Sequence, residues 1–497
     1  MFSSASHSPR KRKKLPYILL GVFLFLVLLG GTAYYAIQHI GIEKLLSSSF
    51  LQQQITKRVG SGEGDIFELL PAALGFDEPK TYLVLFLNNT EIRPGGGFIG
   101  VYGTVRVSQG SIEVLKVEGT ELLDNQSSDD NVPLPPGPLA EYLKVSGWYF
   151  RDSNWSPDFA ESSKQGLVLY ARENGVASGD IDAVIGVTAT VLEELMTKTG
   201  QITINGITFT PENVVAELEH EVEYKFIDRG ISRGDRKDII EPFMLAMIDK
   251  LKSDVLRHPF EYRALAEKLL QQKHIVAYAL DPNIQSTLHE HSADGSIADT
   301  NGDYLMWVDA NLGALKTDHA IKRTLSYSIE PRVLSNGDHY YEATATMKYV
   351  HSQPFDWRTS RYRTYARVFV PQGSELISTV GSMKTDRSLQ SGIIDSGVEK
   401  NKQWFGTFVS IEPLTTQSLT FTYRLPDSIT ASIDKDVYTL LVQKQIGLVG
   451  SSLTLNLDFD TTIQGAEPSE VQSEWGDDVY RIDTQLAADL NFEVTLK

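Results

Sequence analysis

"LNNTEIRPGGGFIGVYGTVRV", residues 87–107, closes the apolar run Tyr82–Leu87 with two asparagines, an acid, an arginine and three consecutive glycines. A continuous apolar run of this kind suits a central strand covered on both faces. Gly95-Gly96-Gly97-Phe98-Ile99-Gly100 satisfies G-x-G-x-x-G literally. A dinucleotide fingerprint, however, needs those glycines to open a helix whose N-terminus meets a pyrophosphate. Here "FIGVYGTVRV" continues with the alternation of a strand, so the order is strand, turn, strand, and a Rossmann site is excluded. Two readings of the turn stay open. In one, Gly95, Gly96 and Gly97 only allow a sharp reversal with positive φ. In the other, Asn88, Asn89, Glu91 and Arg93 line a ligand site at the carboxyl end of a buried strand, where open α/β sheets place theirs.

Working outward, Phe98–Val107 and Ser111–Val117 form a hairpin joined at Gln109-Gly110. Ser156-Pro157 reads as N-cap and first position of a helix running to about Asn174. A strand at Ile181–Thr188, a helix at Val191–Thr199 and a hairpin at Asn205-Gly206 follow. Thr210-Pro211 opens another helix, and a longer helical region at about 235–273 is expected to bend near Pro242. "HIVAYAL" (274–280) returns to a strand. Beyond about residue 318 helical periodicity stops. "RTLSYSIE", "YYEATATMKYV", "YRTYARVFV", "WFGTFVSI", "SLTFTYRL" and "SLTLNLDF" alternate over short runs, as in an antiparallel β-sandwich of roughly immunoglobulin size. The expected architecture is a mixed-sheet α/β domain with flanking helices over 81–318, then an all-β sandwich-like domain over 319–497.

The N-terminus is segregated. Residues 1–14 carry Arg10, Lys11, Arg12, Lys13 and Lys14 and no acid, and 15–37 is an uncharged apolar run. That length suits a bilayer-spanning helix, and the basic flank places the N-terminus in the cytoplasm and the bulk of the chain outside. A signal peptide would have a shorter apolar core and an Ala-x-Ala site, which is not visible. Residues 38–80 read as a stalk interrupted by "GSGEG" (60–64). Without the five basic residues, the net charge of the remainder falls from −18 to −23. So acidic a surface disfavours nucleic acid, which needs clustered Lys and Arg. The chain has no cysteine, which rules out disulfides, thiolate metal sites and cysteine nucleophiles.

"YLVLFLNNTEIRPGGGFIGVYGTVRVSQGSIEVL", "RDSNWSPDF" (151–159), "IDAVIGVTATVLEELMTKTGQITING" (181–206) and "ANLGALKTD" (310–318), in that order, resemble the bacterial domain-of-unknown-function (DUF) family 4012. The resemblance implies a membrane-anchored bacterial protein and no particular activity. A fainter resemblance is to the LytR–CpsA–Psr enzymes, membrane-anchored proteins that transfer glycopolymers from a polyprenyl-pyrophosphate carrier to the cell wall. It rests on the strand ending in a polar-x-Arg turn, on residues 181–200, and on "DRGISRGDRKDIIEPF" (228–243). Two departures stand against it. Asn and Gly lie opposite that family's metal-binding acid, and "VEGTELLD" (117–124) lies opposite its Pro-Arg-Asp turn.

Arg229, Arg233 and Arg236 fall at i, i+4 and i+7 behind a capping-box-like Ser232-x-x-Asp235. They suit an anion at a helix start, or ion pairs with Asp228, Asp235, Asp238 or Glu241. Arg151 and Asp152, ahead of a helix, are further ligand-binding candidates, while Asp158 suits the helix's first turn. Arg361, Arg363 and Arg367 share one strand face, read as a solvated outer face of the sandwich. "HEH" (289–291) lacks a third metal ligand. "DTNGD" (299–303) would put Ala310 where a calcium loop needs Glu, so it reads as an Asx turn. No cofactor, metal site or catalytic triad is legible. The expected role is binding or scaffolding of an anionic lipid-linked or wall glycopolymer at the cell envelope. The alternative is a LytR–CpsA–Psr-like transferase in which Arg93, Arg229, Arg233 and Arg236 neutralise a pyrophosphate, with Mg²⁺ on Glu91 or Asp152.

Overall fold

The computed structural model describes residues 66–127, 132–225, 239–313 and 315–497. The anchor segment 15–37, most of the stalk, and Arg229, Arg233 and Arg236 lie outside them. Among the described residues no helix is long and apolar enough to cross a membrane.

The chain has a mixed α/β portion followed by a strand-rich C-terminal region. The first sheet comprises β1 (Lys80–Asn88), β2 (Phe98–Ser108), β3 (Ser111–Gly119), β4 (Ala183–Thr188) and β7 (Ile275–Ala279), in the order β3-β2-β1-β4-β7. β5 (Ile202–Ile204) and β6 (Ile207–Phe209) form a separate hairpin. Only β1 and β4 run parallel within the five-stranded sheet. The period-2 geometry of β1 explains its unbroken apolarity. Leu83, Leu85 and Leu87 join one core with Phe159 and Tyr170 of α1 (Phe159–Arg172). Tyr82 and Val84 join a second core on the other face. That core is built by α2 (Ala189–Thr199), α3 (Val214–His220), α4 (Ile240–Arg257) and α5 (Pro259–Gln271).

Several local boundaries differ from the sequence expectation. The N-cap of α1 is Asp158, not Ser156, because its carboxylate accepts from the Glu161 amide at 3.0 Å. α3 starts at Val214 rather than at Pro211: residues 211–213 form a turn closed by the Thr210 amide donating to the Asn213 side chain at 2.7 Å. Pro242 does not break the helical region. It sits in the first turn of α4, where a missing N–H costs nothing, and the division falls at His258-Pro259.

Two further sheets follow. One contains β9 (Ile321–Val333), β10 (His339–His351), β12 (Glu375–Val380), β15 (Thr416–Arg424), β17 (Ser451–Asp458) and β19 (Val479–Gln485), ordered β12-β15-β10-β9-β17-β19. The other contains β8 (Asp303–Asn311), β11 (Tyr362–Pro371), β13 (Asp395–Glu399), β14 (Lys402–Ile411), β16 (Val437–Val442), β18 (Ile463–Glu467) and β20 (Leu490–Leu496). Its order, β13-β14-β11-β8-β16-β20-β18, makes β8 the central strand. The change of architecture therefore falls near residue 303, ahead of the expected boundary at 318. The run "YLMWVDAN" is buried on both faces, so alternation could not mark it as part of a two-sheet unit. One apolar cluster joins the two sheets through Leu305, Trp307, Tyr327, Phe405 and Phe421. The outer side of the seven-stranded sheet packs against the α/β portion through Leu139, Ala310, Tyr365 and Phe408, with Trp155 beside them.

Candidate functional site

The polar end of β1 does not face solvent. Asn89, Glu91 and Arg93 are all buried, Arg93 at 3 % exposure. The Arg93 guanidinium donates to Glu91 Oε1 at 3.0 Å and to the Asn311 carbonyl, and its Nε lies 3.5 Å from Asp152 Oδ1. Its face lies 5.3 Å from the Phe98 ring. Burial pushes the Glu91 carboxyl up, against the pull of the Arg93 charge. A divalent cation on Glu91 or Asp152 would compete with this guanidinium.

The backbone around these side chains is equally committed. The Ile92 amide donates to Asp318 Oδ2 at 2.9 Å, the Asn311 amide to the Ile92 carbonyl at 2.9 Å, and the Asp318 amide to the Thr90 carbonyl at 3.0 Å. Asn154 donates to the Gly97 carbonyl at 2.7 Å, and the Gly95 amide donates to the Asn154 carbonyl at 3.0 Å. Gly96 and Gly97 have φ of +117° and +152°. A Cβ on Gly97 would lie 2.6 Å from the Asn88 carbonyl carbon, so the turn closes on its own strand.

A third segment, 443–448, comes from the loop after β16. Gln445 donates to the carbonyls of Arg93 (3.1 Å) and Asp309 (2.8 Å), and its Oε1 accepts from the Asp309 amide. Ile446 inserts into the core beneath β1 beside Leu87 and Phe159. Below lies a closed charge network. Arg323 donates to Asp309 at 2.8 Å and also to Asp318, while Tyr349 and Thr364 donate to the other Asp309 oxygen. Both Asp309 and Arg323 are buried, Asp309 completely. Such a network is worth keeping only when every member is satisfied, which fits the density of partners here.

The structure thus brings Asn89, Glu91, Arg93 and Asp152 together, with the glycine turn against them, as a joint between the two halves of the molecule. Asn88 lies at its edge, donating to Glu219 at 3.0 Å. Arg151 turns away to pair with Asp124. Arg367, expected on a solvated face, is buried at the same interface, 5.0 Å from the Trp155 ring and donating to the Trp155 carbonyl at 2.7 Å. The correction has a simple cause: the α/β portion covers that face. Arg361 and Arg363 pair with Asp386 and, for Arg361, Glu412. Sequence reasoning passed over Asp309, Arg323 and Gln445. "QKQIG" (443–447), three polar residues before an isoleucine between strands, was the available signal.

A cavity of about 150 Å³ remains at the carboxyl ends of β1 and β4, bounded by Asn89, Thr90, Thr190, Glu193, Asp318 and Arg323. Among the described residues no group of three or more His, Asp or Glu side chains could hold a metal ion.

Residues 77–223 match the family model of DUF4012, described as a protein of unknown function. That span includes β1, the glycine turn and the RDSNW segment. No curated protein is matched. Among solved structures, a protein of Legionella pneumophila described as nutrient-binding is 8 % identical, covering 39 % of this chain and 71 % of its own, with a TM-score of 0.24. An M1 zinc metallopeptidase of Deinococcus radiodurans is 9 % identical, covering 35 % of this chain and 42 % of its own, with a TM-score of 0.15.

Proposed function

We propose that this chain is a single-pass bacterial membrane protein whose extracytoplasmic bulk binds or scaffolds anionic cell-envelope glycopolymers. Support for the location comes from the basic residues 10–14 ahead of an uncharged span of bilayer length. In this reading the C-terminal region is a β-sandwich that presents its uncovered outer face to partners. The observation favouring binding over transfer is the state of Arg93. Its guanidinium donates to Glu91 and the Asn311 carbonyl and lies 3.5 Å from Asp152, so its charge is already matched by two buried carboxylates.

The transferase reading draws on one observation, the cavity at the parallel strand ends, where α/β sheets bind ligands. It would require the Glu91–Arg93–Asp152 cluster to open and accept Mg²⁺. The deciding experiment incubates full-length protein in lipid nanodiscs with a lipid-linked glycan, Mg²⁺ and a wall acceptor, alongside a glycopolymer titration. Saturable binding without transfer is expected. Mg²⁺-dependent transfer of the glycan would overturn the proposal.

A further inference from the structure

A second, larger cavity lies away from the joint. About 550 Å³ opens between α1, β7, α6 (Pro282–Glu290) and the tip of the β13–β14 hairpin. The volume falls within the roughly 300–1,000 Å³ range of small-molecule sites. Its frame is built from both halves of the molecule. At the floor, buried Asp158 accepts from the amides of Glu161 and Ile297, both at 3.0 Å. At the mouth, Lys400 of the hairpin reaches Glu161 at 2.7 Å, and Lys164 meets the same carboxylate oxygen at 2.9 Å.

Within this frame the polar groups are held in place by their neighbours: Asp294 accepts from the Gln285 side-chain amide at 3.1 Å and from the Ser296 amide and hydroxyl. Asp294, itself 3 % exposed, lies 3.0 Å from His289 Nδ1, and Ser296 Oγ lies 3.1 Å from the same nitrogen. The contacts fix the ring through one nitrogen and leave Nε2 for a ligand. Tyr278, Asp299 and Asn401 also line the cavity. Leu280 and Pro282 line it beside Tyr278, whose ring has Lys164 Nζ 5.9 Å from its centroid.

The charge balance selects the ligand class. The two lysines share one glutamate, while Asp294 and Asp299 add negative charge, so an anion is poorly served. A cation has only Asp299 free to it, and that residue is exposed. A sugar ring, with apolar C–H faces and a rim of hydroxyls, matches an aromatic wall edged by amide, imidazole and carboxylate groups. We infer that this cleft binds one or two neutral sugar rings, and that it is where the glycopolymer proposed above is held through its sugars rather than its anionic groups. The choice of a sugar rests partly on that proposal.

The test titrates full-length protein in nanodiscs with chitobiose, maltose and poly(glycerol phosphate), read by saturation-transfer NMR and calorimetry. His289→Ala lies at the exposed end of α6. Asn401→Gly keeps the turn, because Asn401 already has φ of +57°. At least one disaccharide should bind wild type and bind each variant about fivefold to tenfold more weakly, the scale of one lost hydrogen bond. Poly(glycerol phosphate) should not displace it. No disaccharide binding, equal binding by all three proteins, or displacement by the polyphosphate would each overturn the assignment. A parallel titration with purified envelope glycopolymer separates the two proposals. Polymer binding that survives both variants sinks the cleft alone, whereas disaccharide binding without polymer binding sinks the glycopolymer reading alone.

Discussion

The Asn89 side-chain amide donates to the Gly447 carbonyl at 2.9 Å across 358 residues of chain, and also to Thr190 Oγ1 at 2.9 Å. One asparagine thus ties the end of β1 to the start of α2 and to the loop after β16. Gly447 has φ of +72°, and a Cβ there would lie 2.2 Å from the Gly96 carbonyl oxygen. Two glycines, each in a backbone region that side chains avoid, let the main chains of the two halves touch.

That close approach makes Gly447→Ala costly. Alanine at positive φ costs about 1–2 kcal/mol by itself, and the added backbone clash should bring the loss to about 3 kcal/mol or more. Chemical denaturation of the full chain checks this, with Gly450→Ala as comparison, because Gly450 has positive φ but open space around it. Equal losses at both positions would show that the contact with Gly96 contributes nothing.

A second expectation concerns Asp124 and Glu173. Each is buried, and each has one carboxylate oxygen without a conventional hydrogen-bond partner. Burial, then the neighbouring Asp124 carboxyl, push Glu173 up to about 8, and burial raises Asp124 as well. The pair therefore holds a proton at neutral pH. A raised folded-state pKa contributes stability below the unfolded value, which is lost as pH rises through about 8. Glu173→Gln should flatten the melting temperature against pH between 5 and 8. An unchanged slope would remove the shared proton.

Lys444 gives the opposite sign. Burial, with Lys273 nearby, lowers its ammonium to about 7, while it donates to the carbonyls of Gln272 (2.8 Å) and Gln445 (3.2 Å). A depressed folded-state pKa makes the charged form a burden that grows as pH falls from the unfolded value toward about 7. The melting temperature of Lys444→Met relative to wild type should therefore rise as pH is lowered from 10 to 7. A constant difference would mean that the amine titrates normally.

The α/β elements were legible because their signals are local. β1 carries an unbroken apolar run, and the turns at Gln109-Gly110 and Asn205-Gly206 have positive φ at both positions, as two-residue hairpins require. Residues 303–311 fall on the α/β side of the expected boundary because a strand buried on both faces looks the same in either architecture. The polar residues after β1 were visible as an excess over what a turn needs. Their partners were not, because Asn311, Asp318, Gln445 and Gly447 come from more than 200 residues away and carry no periodic signature. The same limit hid Arg367, whose alternation in β11 says which face it is on but not what covers that face.

The account stands most directly on Arg93. If its charge holds Glu91 and Asp152 in the joint, Arg93→Gln leaves two buried carboxylates without their cation and should cost about 3–5 kcal/mol. If it waits for a ligand, its loss should be mild until that ligand is present. The measurement is thermal unfolding of full-length wild type and Arg93→Gln, each with and without pyrophosphate and Mg²⁺. The prediction is a large drop in melting temperature in the variant under every condition, and no pyrophosphate-dependent rise in wild type. Equal melting temperatures without ligand, with a pyrophosphate-dependent rise in wild type that Arg93→Gln abolishes, would contradict it.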